Sequence, residues 1–465
     1  MKFRSRMIAV SSLALATSLA LGACAGEPAP TSGSSTSGTS STGTPAEWYG
    51  VDRSTVSGTV TFWNWGDTSD VADGAIAEFN KVYPNITVEA KTVSYKDYVA
   101  SLSAALASGE GPDTFHVEPA MAVQFADLLE DVTPLYESQV GPDWKNQVSG
   151  AAVTELTVGS QLLAAPNGIS AAGTLQLNVG LLDDLGLSFP EGQITPQQLA
   201  DFCGQVKAKG ALCVSMGGKE GWVDQDVFQA LASSIAPGKF WAAVEGGDWT
   251  DPGLVETMDV WQQMFTNGVF QDGALGQNLY TDAWYLWQQG KAVATPIGYW
   301  GATDFIAATN ITNQGSAGVT DPTPLRTILV PFPSLGSSPT TLAASVSSGT
   351  AINKDSRNKE AAAVWTHWFS IDPAGFQKIS AQSLAGLPSV QGVETAPEGL
   401  AYPDLVKEPL ATIIEMGLAS TESRAITYPE LITALTNALQ SSATGVPSTE
   451  VLQTLQAASD AIKRS

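Results

Sequence analysis

The sequence predicts an α/β protein with two lobes, and three observations support this. Strand-like and helix-like segments alternate along the chain. The part from Trp48 onward, in a chain of 465 residues, is far longer than one typical domain. The first segments follow β-α-β-α-β order, which implies right-handed crossovers and a mainly parallel sheet. Ligands of such sheets bind beyond the carboxyl ends of the strands.

The individual elements follow from the spacing of apolar residues. Alternation predicts strands and helical spacing predicts helices, in the order strand 59–63, helix 70–83, strand 85–93, helix 96–107 and strand 112–117. Gly109 ends the second helix. Later extended segments are predicted at 290–294, 296–300, 327–331 and 345–352, and a helix carrying Trp365 and Trp368 follows.

The first residues are typical of an export signal. Three basic residues precede an apolar run from Met7 to Leu21, and Leu21-Gly22-Ala23-Cys24 follows. This ending resembles the lipobox of bacterial lipoproteins, which implies a signal peptide over 1–23 and lipid attachment at Cys24. The Ser/Thr/Gly-rich stretch 24–47 cannot bury enough apolar surface to order itself, so we expect a flexible linker. The predicted location is the extracellular face of the cell membrane, held by the lipid anchor.

Composition excludes several classes of function. The net charge of −24 falls further without the three basic signal residues, and such a field repels nucleic acid. The chain has two histidines and no HExxH, CxxC or GxxxxGK[ST] pattern, so we expect no metal, no cofactor and no nucleotide hydrolysis. Cys203 and Cys213 lie ten residues apart in a chain predicted to be exported. We therefore expect a local disulfide.

Several segments together resemble the solute-binding protein of an ABC-type sugar importer, in the broad group that includes the maltose-binding protein. They are VTFWNWGD, AEFNKVYPNITVE, LASGEGPDTFHVEP, QQGKAVATPIGYW and AINKDSRNKEAAAVWTHWFS followed by GLPSV. The resemblance implies a periplasmic-binding-protein-like fold with multiple interlobe crossovers and a hinged cleft. We place the first lobe at 52–165 plus 297–345 and the second at 166–296 plus 346–465. It further implies a monomer, not an enzyme, that delivers a mono- or oligosaccharide to a membrane permease.

The chain's 13 tryptophans and 22 basic residues favour an uncharged sugar, because sugars stack on aromatic rings whereas anions require arginine. Trp300 is the main candidate platform, since a tryptophan at this place in the resembling family commonly stacks on sugar. Trp261, Trp365 and Trp368 lie at helical spacing and are predicted to be core residues. The remaining candidate ligand contacts are Trp63, Asn64, Trp65, Asp67, Glu118, Asn167, Trp222, Asp224, Trp284 and Ser348.

Some of these candidates carry alternatives. We expect one of Trp63 and Trp65 to face the cleft, on the premise that they alternate along the strand. Asn167 contacts ligand or makes the hinge turn, and the turn is favoured. Ser348, at the return crossover, carries the same ambiguity.

Two other functions remain open at this point. Tryptophan-rich clefts with carboxylates also occur in glycoside hydrolases, which need two carboxyl groups at defined separations. A surface carbohydrate adhesin is the other alternative, although β-α alternation favours a cleft over a repeat array.

Overall fold

The structure is a computed structural model that describes residues 49–66 and 70–464, without the side chains of residues 70 and 71. The predicted signal peptide, Cys24, the linker and Asp67 lie outside the described residues.

The strands form two main sheets and one short pair. Their bounds are β1 (Gly58–Trp65), β2 (Ile86–Val93), β3 (Thr114–Val117), β4 (Thr157–Val158), β5 (Gln161–Leu162), β6 (Ala165–Ala172), β7 (Thr174–Asn178), β8 (Leu212–Val214), β9 (Ala292–Pro296), β10 (Thr327–Pro331) and β11 (Ala343–Ile352). The first sheet has the order β2-β1-β3-β11-β6, and the second has the order β10-β7-β9-β8.

The described α-helices surround the sheets. They are α1 (Asp70–Val82), α2 (Tyr95–Ala107), α3 (Pro119–Gln124), α4 (Thr133–Gln139), α5 (Gly150–Glu155), α6 (Val179–Leu185), α7 (Pro196–Ala208), α8 (Trp222–Ile235), α9 (Lys239–Val244), α10 (Pro252–Thr266), α11 (Trp284–Gln288), α12 (Ala307–Ser316), α13 (Lys359–Thr366), α14 (Phe376–Gln382), α15 (Pro403–Leu418), α16 (Pro429–Ala443) and α17 (Ser448–Asp460). π-Helical turns lie at Leu279–Ala283 and His367–Ile371, and a 3₁₀ turn lies at Tyr299–Phe305.

Local sequence sets several of these boundaries. Val60 and Phe62 are buried on β1, and alternate residues are more exposed, which matches a strand with one buried face. Helix α7 begins with a capping box, in which Thr195 and Gln198 each accept a hydrogen bond from the other's backbone N–H. The early strands and helices therefore start and end within a few residues of the predicted positions.

The predicted mainly parallel arrangement is wrong for the sheets as a whole. Strands β2, β1 and β3 are parallel, but β11 pairs antiparallel with both β3 and β6. In the second sheet β7 is antiparallel to β9 and β10, and only β8 and β9 are parallel. The reason is that β11 enters the first sheet from the second core, so its direction opposes that of the strands built locally.

Two hydrophobic cores lie within the compact unit Gly43–Ser465, one around each main sheet. The chain passes directly from β6 to β7 at Gly173, whose φ of +97° favours glycine. It passes between the cores again after β9, between β10 and β11, and in the segment 419–428, which joins α15 to α16 and is here termed the last crossover.

The division between the cores differs from the predicted lobes in three places. Strand β6 lies in the first sheet, although residues 166–172 were assigned to the second lobe. Buried residues from Ala351 to Ile413 belong to the first core, although they were assigned to the second lobe. Strand β10 lies in the second sheet, although it was assigned to the first lobe. The first difference is a boundary placed too early, before the chain leaves the first sheet at Gly173. The other two follow from extra crossovers, which return the chain to a core it has already visited.

The predicted core tryptophans and the cysteine pair are found as expected. Trp261 and Trp365 are fully buried and Trp368 is 3% exposed. Cys203 and Cys213 form a disulfide with their Cα atoms 5.1 Å apart. It ties α7 to β8 inside the second core.

Candidate functional site

The carboxyl ends of β1 and β3 bring an aromatic ring and a carboxylate into one neighbourhood. Trp65 ends β1, and Glu118 directly follows β3. Between them lies Tyr95, the first residue of α2, whose ring centroid is 5.9 Å from that of Trp65. The Tyr95 hydroxyl donates to the Glu118 carboxylate oxygens at 3.0 and 3.2 Å. The first core therefore presents a stacking surface beside an acceptor, as expected for the ends of parallel strands.

Trp222, the first residue of α8, brings the second core to the same place. It packs against the second core, yet its ring centroid is 6.1 Å from that of Tyr95 and 6.0 Å from that of Trp300, both on the first-core side. The Tyr280 ring, on the π-helical turn, lies 6.1 Å from the Trp222 ring. Aromatic rings of both cores thus meet within the range of direct ring contact.

Trp300 owes its position to a glycine. It follows β9 in the 3₁₀ turn, and its ring lies against Gly298. A Cβ at residue 298 would lie 2.0 Å from the ring atom Cζ3 and 2.6 Å from the backbone oxygen of Ala171. Only glycine allows this close approach of the indole to the backbone.

Arg424, on the last crossover, supplies the positive charge at this place. Its Nε and Nη2 donate to the two carboxylate oxygens of Asp226 at 2.8 and 3.1 Å, and both side chains are mostly buried. Its guanidinium carbon lies 5.0 Å from the centroid of the Trp300 ring and 5.7 Å from that of Trp222. These are cation–π distances, so the guanidinium is held by an ion pair and by two rings.

We name these residues the cleft cluster. It consists of Trp65, Tyr95, Glu118, Trp222, Asp226, Tyr280, Trp300 and Arg424.

The last crossover is anchored on both sides of the cluster. Ser423 donates its hydroxyl to Glu155 of α5 at 2.5 Å, and Glu155 also accepts the backbone N–H of Val346 in β11 at 2.7 Å. From α8, the Gln225 and Gln229 amides donate to the backbone carbonyls of Arg424 and Ser423, both at 2.9 Å. Arg424 is therefore tied to the helix that carries Trp222 and Asp226.

The electrostatics of the cluster are acidic. Burial raises the pKa values of Glu118, Asp226 and Glu155, and the nearby Arg424 guanidinium partly opposes this. Burial also disfavours the charge of Arg424, but attraction by Asp226 and Glu118 raises its pKa overall. Within the cluster one guanidinium is paired with Asp226 and lies near a second carboxyl group, Glu118, so no net positive charge is available to an anionic ligand.

Three tryptophans add hydrogen-bond donors. The indole nitrogens of Trp222, Trp284 and Trp300 are buried and have no acceptor among the described residues. An indole N–H can only donate, and buried donors are normally paired. The indoles of the core tryptophans Trp249, Trp287 and Trp365 also have no acceptor within the described part of the chain, so this feature alone does not mark a ligand site. The rings of the cluster, with Glu118 and Arg424 beside them, suit a ligand that has an apolar face and polar groups around it.

Comparison with known proteins identifies the family. The family model for bacterial extracellular solute-binding proteins matches residues 65–370, which is well over half of the chain. The chain belongs to the bacterial extracellular solute-binding proteins. The match begins at Trp65 and includes all the cleft cluster except Arg424.

Solved structures show the same fold as this solute-binding protein. A structure from a study of xylan utilisation by Caldanaerobius polysaccharolyticus has 19% sequence identity and a TM-score of 0.69, covering 86% of this chain and 99% of the other. A chitin oligosaccharide binding protein has 19% identity and a TM-score of 0.68, with coverage of 86% and 98%. The maltose-bound MalE3 of T. maritima has 18% identity and a TM-score of 0.65, with coverage of 86% and 98%.

A curated relative matches over a shorter part of the chain. It is an uncharacterised ABC transporter extracellular-binding protein of Pyrococcus horikoshii, 20% identical over 244 residues. The match covers 51% of this solute-binding protein and 54% of the relative, so the chain spans about half the length of that relative.

The cluster contains four of the residues predicted from the sequence. They are Trp65, Glu118, Trp222 and Trp300, and Trp284 borders them through a ring contact with Tyr280 at 6.0 Å. The premise used for Trp63 and Trp65 is wrong, because residues two apart in a strand leave the same face. What separates the two is position along β1, since Trp63 lies under the Lys91 ammonium, 3.7 Å from the ring centroid.

Two other predicted contacts of the solute-binding protein lie outside the cleft cluster. Asn64 is buried and accepts a hydrogen bond from Thr92 at 2.8 Å on the neighbouring strand. Asp224 is fully buried in α8.

Asn167 and Ser348 are bonded to each other at 2.9 Å, within the first sheet. The favoured hinge turn at Asn167 is wrong, because it lies inside β6, where its side-chain oxygen also accepts from Thr350 and Ser370 at 2.8 and 2.6 Å.

Sequence reasoning missed Tyr95, Asp226, Tyr280 and Arg424. Asp226 could have been predicted from the sequence, because it lies four residues after the candidate Trp222 and therefore on the same face of α8. Arg424 could not have been predicted in this way, because its partner Asp226 is 198 positions away in the sequence.

The cluster is closely packed in this structure. A cavity of about 10 Å³ adjoins Trp222 and Asp226, which is room for about one water. A second cavity, of about 320 Å³, lies in the first core beside Tyr136 and His367 and is lined by no residue of the cluster. A sugar between Trp222 and Trp300 therefore requires the two cores to part, which is the hinge motion known for two-lobed binding proteins.

Within residues 49–66 and 70–464, no helix is both long and apolar enough to cross a membrane. In the same part of the chain, no three His, Cys, Asp or Glu side chains group as a metal site.

Proposed function

We propose that this solute-binding protein captures an uncharged carbohydrate between the two cores, in the cleft cluster. The meeting of Trp222 and Trp300, at 6.0 Å and from opposite cores, carries this proposal. A sugar ring has an apolar face that fits an aromatic platform and hydroxyl groups that need polar partners. The indole N–H groups, Glu118 and the Asp226–Arg424 pair are such partners.

Related structures support a sugar ligand. Three structurally similar proteins bind chitin oligosaccharide, maltose and raffinose, respectively. The charges of the cluster support the uncharged class, because a uronic acid would find its one guanidinium already paired with Asp226 and Glu118 close by.

The captured sugar is delivered to the membrane permease of an ABC transporter. The curated relative is named as an ABC transporter extracellular-binding protein, which supports this partner. The export signal with Cys24 supports lipid anchoring on the outer face of the cell membrane. The protein acts as a monomer. Labelling cells with a radioactive fatty acid should mark the wild type and leave Cys24→Ser unlabelled, and equal labelling would refute the anchor.

The sugar leaves the cleft chemically unchanged, because the protein is a binding protein and not an enzyme. Incubation with labelled oligosaccharides tests this. Cleavage products from maltotriose, xylotriose, raffinose or triacetylchitotriose that persist in purified protein would instead favour a glycoside hydrolase.

The central experiment compares Trp300→Ala with Trp63→Ala by calorimetry, using the chain without residues 1–23. The four oligosaccharides just named are screened first by thermal shift, since binding to the native state raises its stability. Loss of the Trp300 ring removes at least about 1.5 kcal/mol of aromatic contact, so affinity should fall about tenfold or more. Trp63 is a matched control, because its ring lies under Lys91 outside the cluster.

Two results would contradict the proposal. One is a wild type that none of the carbohydrates stabilises but that an amino acid or peptide does. The other is a folded Trp300→Ala protein that binds sugar at full affinity.

A further inference from the structure

The guanidinium of Arg424 lies among aromatic rings and carboxyl groups that could otherwise bind a cationic ligand. Two tryptophan faces lie 5.0 and 5.7 Å from its Cζ atom, and Asp226 holds it with two hydrogen bonds. Glu118 and Glu155 also interact electrostatically with this charge. Aromatic faces combined with carboxylates are a recognition site for ammonium groups.

Arg424 is bonded to both halves of the cleft. Its side chain bonds to Asp226, and its backbone carbonyl accepts from Gln225, and both residues belong to α8. Trp300 and Glu118 lie on the first-core side. The backbone N–H of Arg424 donates to the carbonyl of Ala344 in β11 at 3.3 Å, so the first core holds it as well. The guanidinium therefore lies where the two cores meet, over the rings of Trp222 and Trp300.

The guanidinium also keeps donors for a ligand. Arginine has five N–H groups, and Asp226 accepts from two of them. Glu118 accepts from the single hydroxyl of Tyr95, so its carboxylate retains capacity. A hydroxyl group both donates and accepts, and can use both partners.

We propose that Arg424 is the specificity-determining residue of the cleft. It fills the aromatic and acidic position that would otherwise attract an ammonium group, and it offers its remaining N–H groups to hydroxyl oxygens. The site therefore selects uncharged sugars over amino sugars. This inference rests on the proposed function, because it names the class of sugar that the same cleft accepts.

The test measures how Arg424→Met binds two trisaccharides in weakly acidic buffer. Triacetylchitotriose is uncharged, and its deacetylated form, chitotriose, is cationic. Maltotriose and raffinose serve as further uncharged probes. Arg424→Met should bind the uncharged sugars at least about tenfold more weakly, and its affinity for chitotriose relative to them should rise at least about tenfold, since Glu118 and Asp226 lose their internal cation.

Two variants separate charge from structure. Arg424→Lys keeps the positive charge but not the planar fork, so it should still reject chitotriose while binding uncharged sugars more weakly. Arg326→Met is the matched control, because Arg326 pairs with Asp183 on the surface, and it should change neither affinity. Circular dichroism at the assay temperature confirms that each variant is folded.

The outcomes are distinguishable. A folded Arg424→Met protein with wild-type selectivity overturns the role of Arg424 and leaves sugar capture standing if Trp300→Ala has lost binding. If Arg424→Met does not fold, Arg424→Lys decides, and gain of chitotriose binding by that variant overturns the inference. A wild type that binds none of the uncharged probes removes both the inference and the proposed function.

Discussion

Asp226→Ala should be one of the most destabilising single changes in the cleft. Asp226 and Arg424 are 9% and 17% exposed at their side chains, and they share two hydrogen bonds. Removing one partner of a buried ion pair costs about 3–5 kcal/mol, because the other charge stays buried. Glu118 and Glu155 still attract Arg424, so we expect the lower end, about 3 kcal/mol, or about a hundredfold in the unfolding equilibrium.

A double-mutant cycle built from Asp226→Leu, Arg424→Met and their combination isolates the pair. The double variant Asp226→Leu with Arg424→Met should recover most of the lost stability, because replacing both charges with apolar groups removes the unpaired charge. The exposed pair Asp183–Arg326, with side chains 57% and 46% exposed, is the control. Its cycle should give about 0.2–1 kcal/mol.

The assay is urea unfolding followed by tryptophan fluorescence and by circular dichroism, and coincident curves justify a two-state free energy. The reasoning is refuted if Asp226→Ala costs less than about 1 kcal/mol, or if the buried and exposed cycles give the same coupling energy.

Three further predictions follow from single contacts. Gly298→Ala should weaken sugar binding about as much as Trp300→Ala, because the new Cβ displaces the ring from the backbone, and calorimetry checks this. The Cys203–Cys213 disulfide should contribute about 2–3 kcal/mol, given its sequence separation of 10, and the unreduced, denatured chain with Cys24 replaced should contain no free thiol. Burial raises the pKa of Glu155 above its ordinary 4.5, so the folded state holds the carboxyl proton more tightly than the unfolded state does. The stability that this provides is fully present below pH 4.5 and is lost as the pH rises through the folded-state pKa. The urea midpoint of Glu155→Gln should therefore depend less on pH than that of the wild type.

Local sequence predicts the elements that depend on near neighbours. The spacing of apolar residues predicts the bounds of β1, α1, β2 and α2 to within a few residues. It does so because a strand or helix with one buried face has apolar residues at a regular interval. The direction of β11 is not local, since it depends on where the chain re-enters the first sheet. This is why the predicted parallel arrangement and the lobe boundaries fail at the later crossovers.

The candidate site divides in the same way. Trp65 and Glu118 can be predicted because each ends a strand, and strand ends converge. Asn167 and Ser348 have the same residue types as ligand contacts, but they satisfy each other inside the first sheet. The polarity of a side chain therefore does not show whether it is available to a ligand or already hydrogen-bonded within the fold.

Arg424 shows what the composition argument leaves out. Few basic residues beside many tryptophans favour an uncharged ligand, yet the one arginine in the cluster lies between two of those tryptophans. Its charge is neutralised by Asp226, so it does not make the cleft a site for anions. A single buried guanidinium can instead exclude cations from an acidic, aromatic cleft, because it already satisfies the carboxylates and ring faces that a cation would need. The selectivity of the cleft therefore depends on where its one arginine lies, which the number of basic residues in the chain does not reveal.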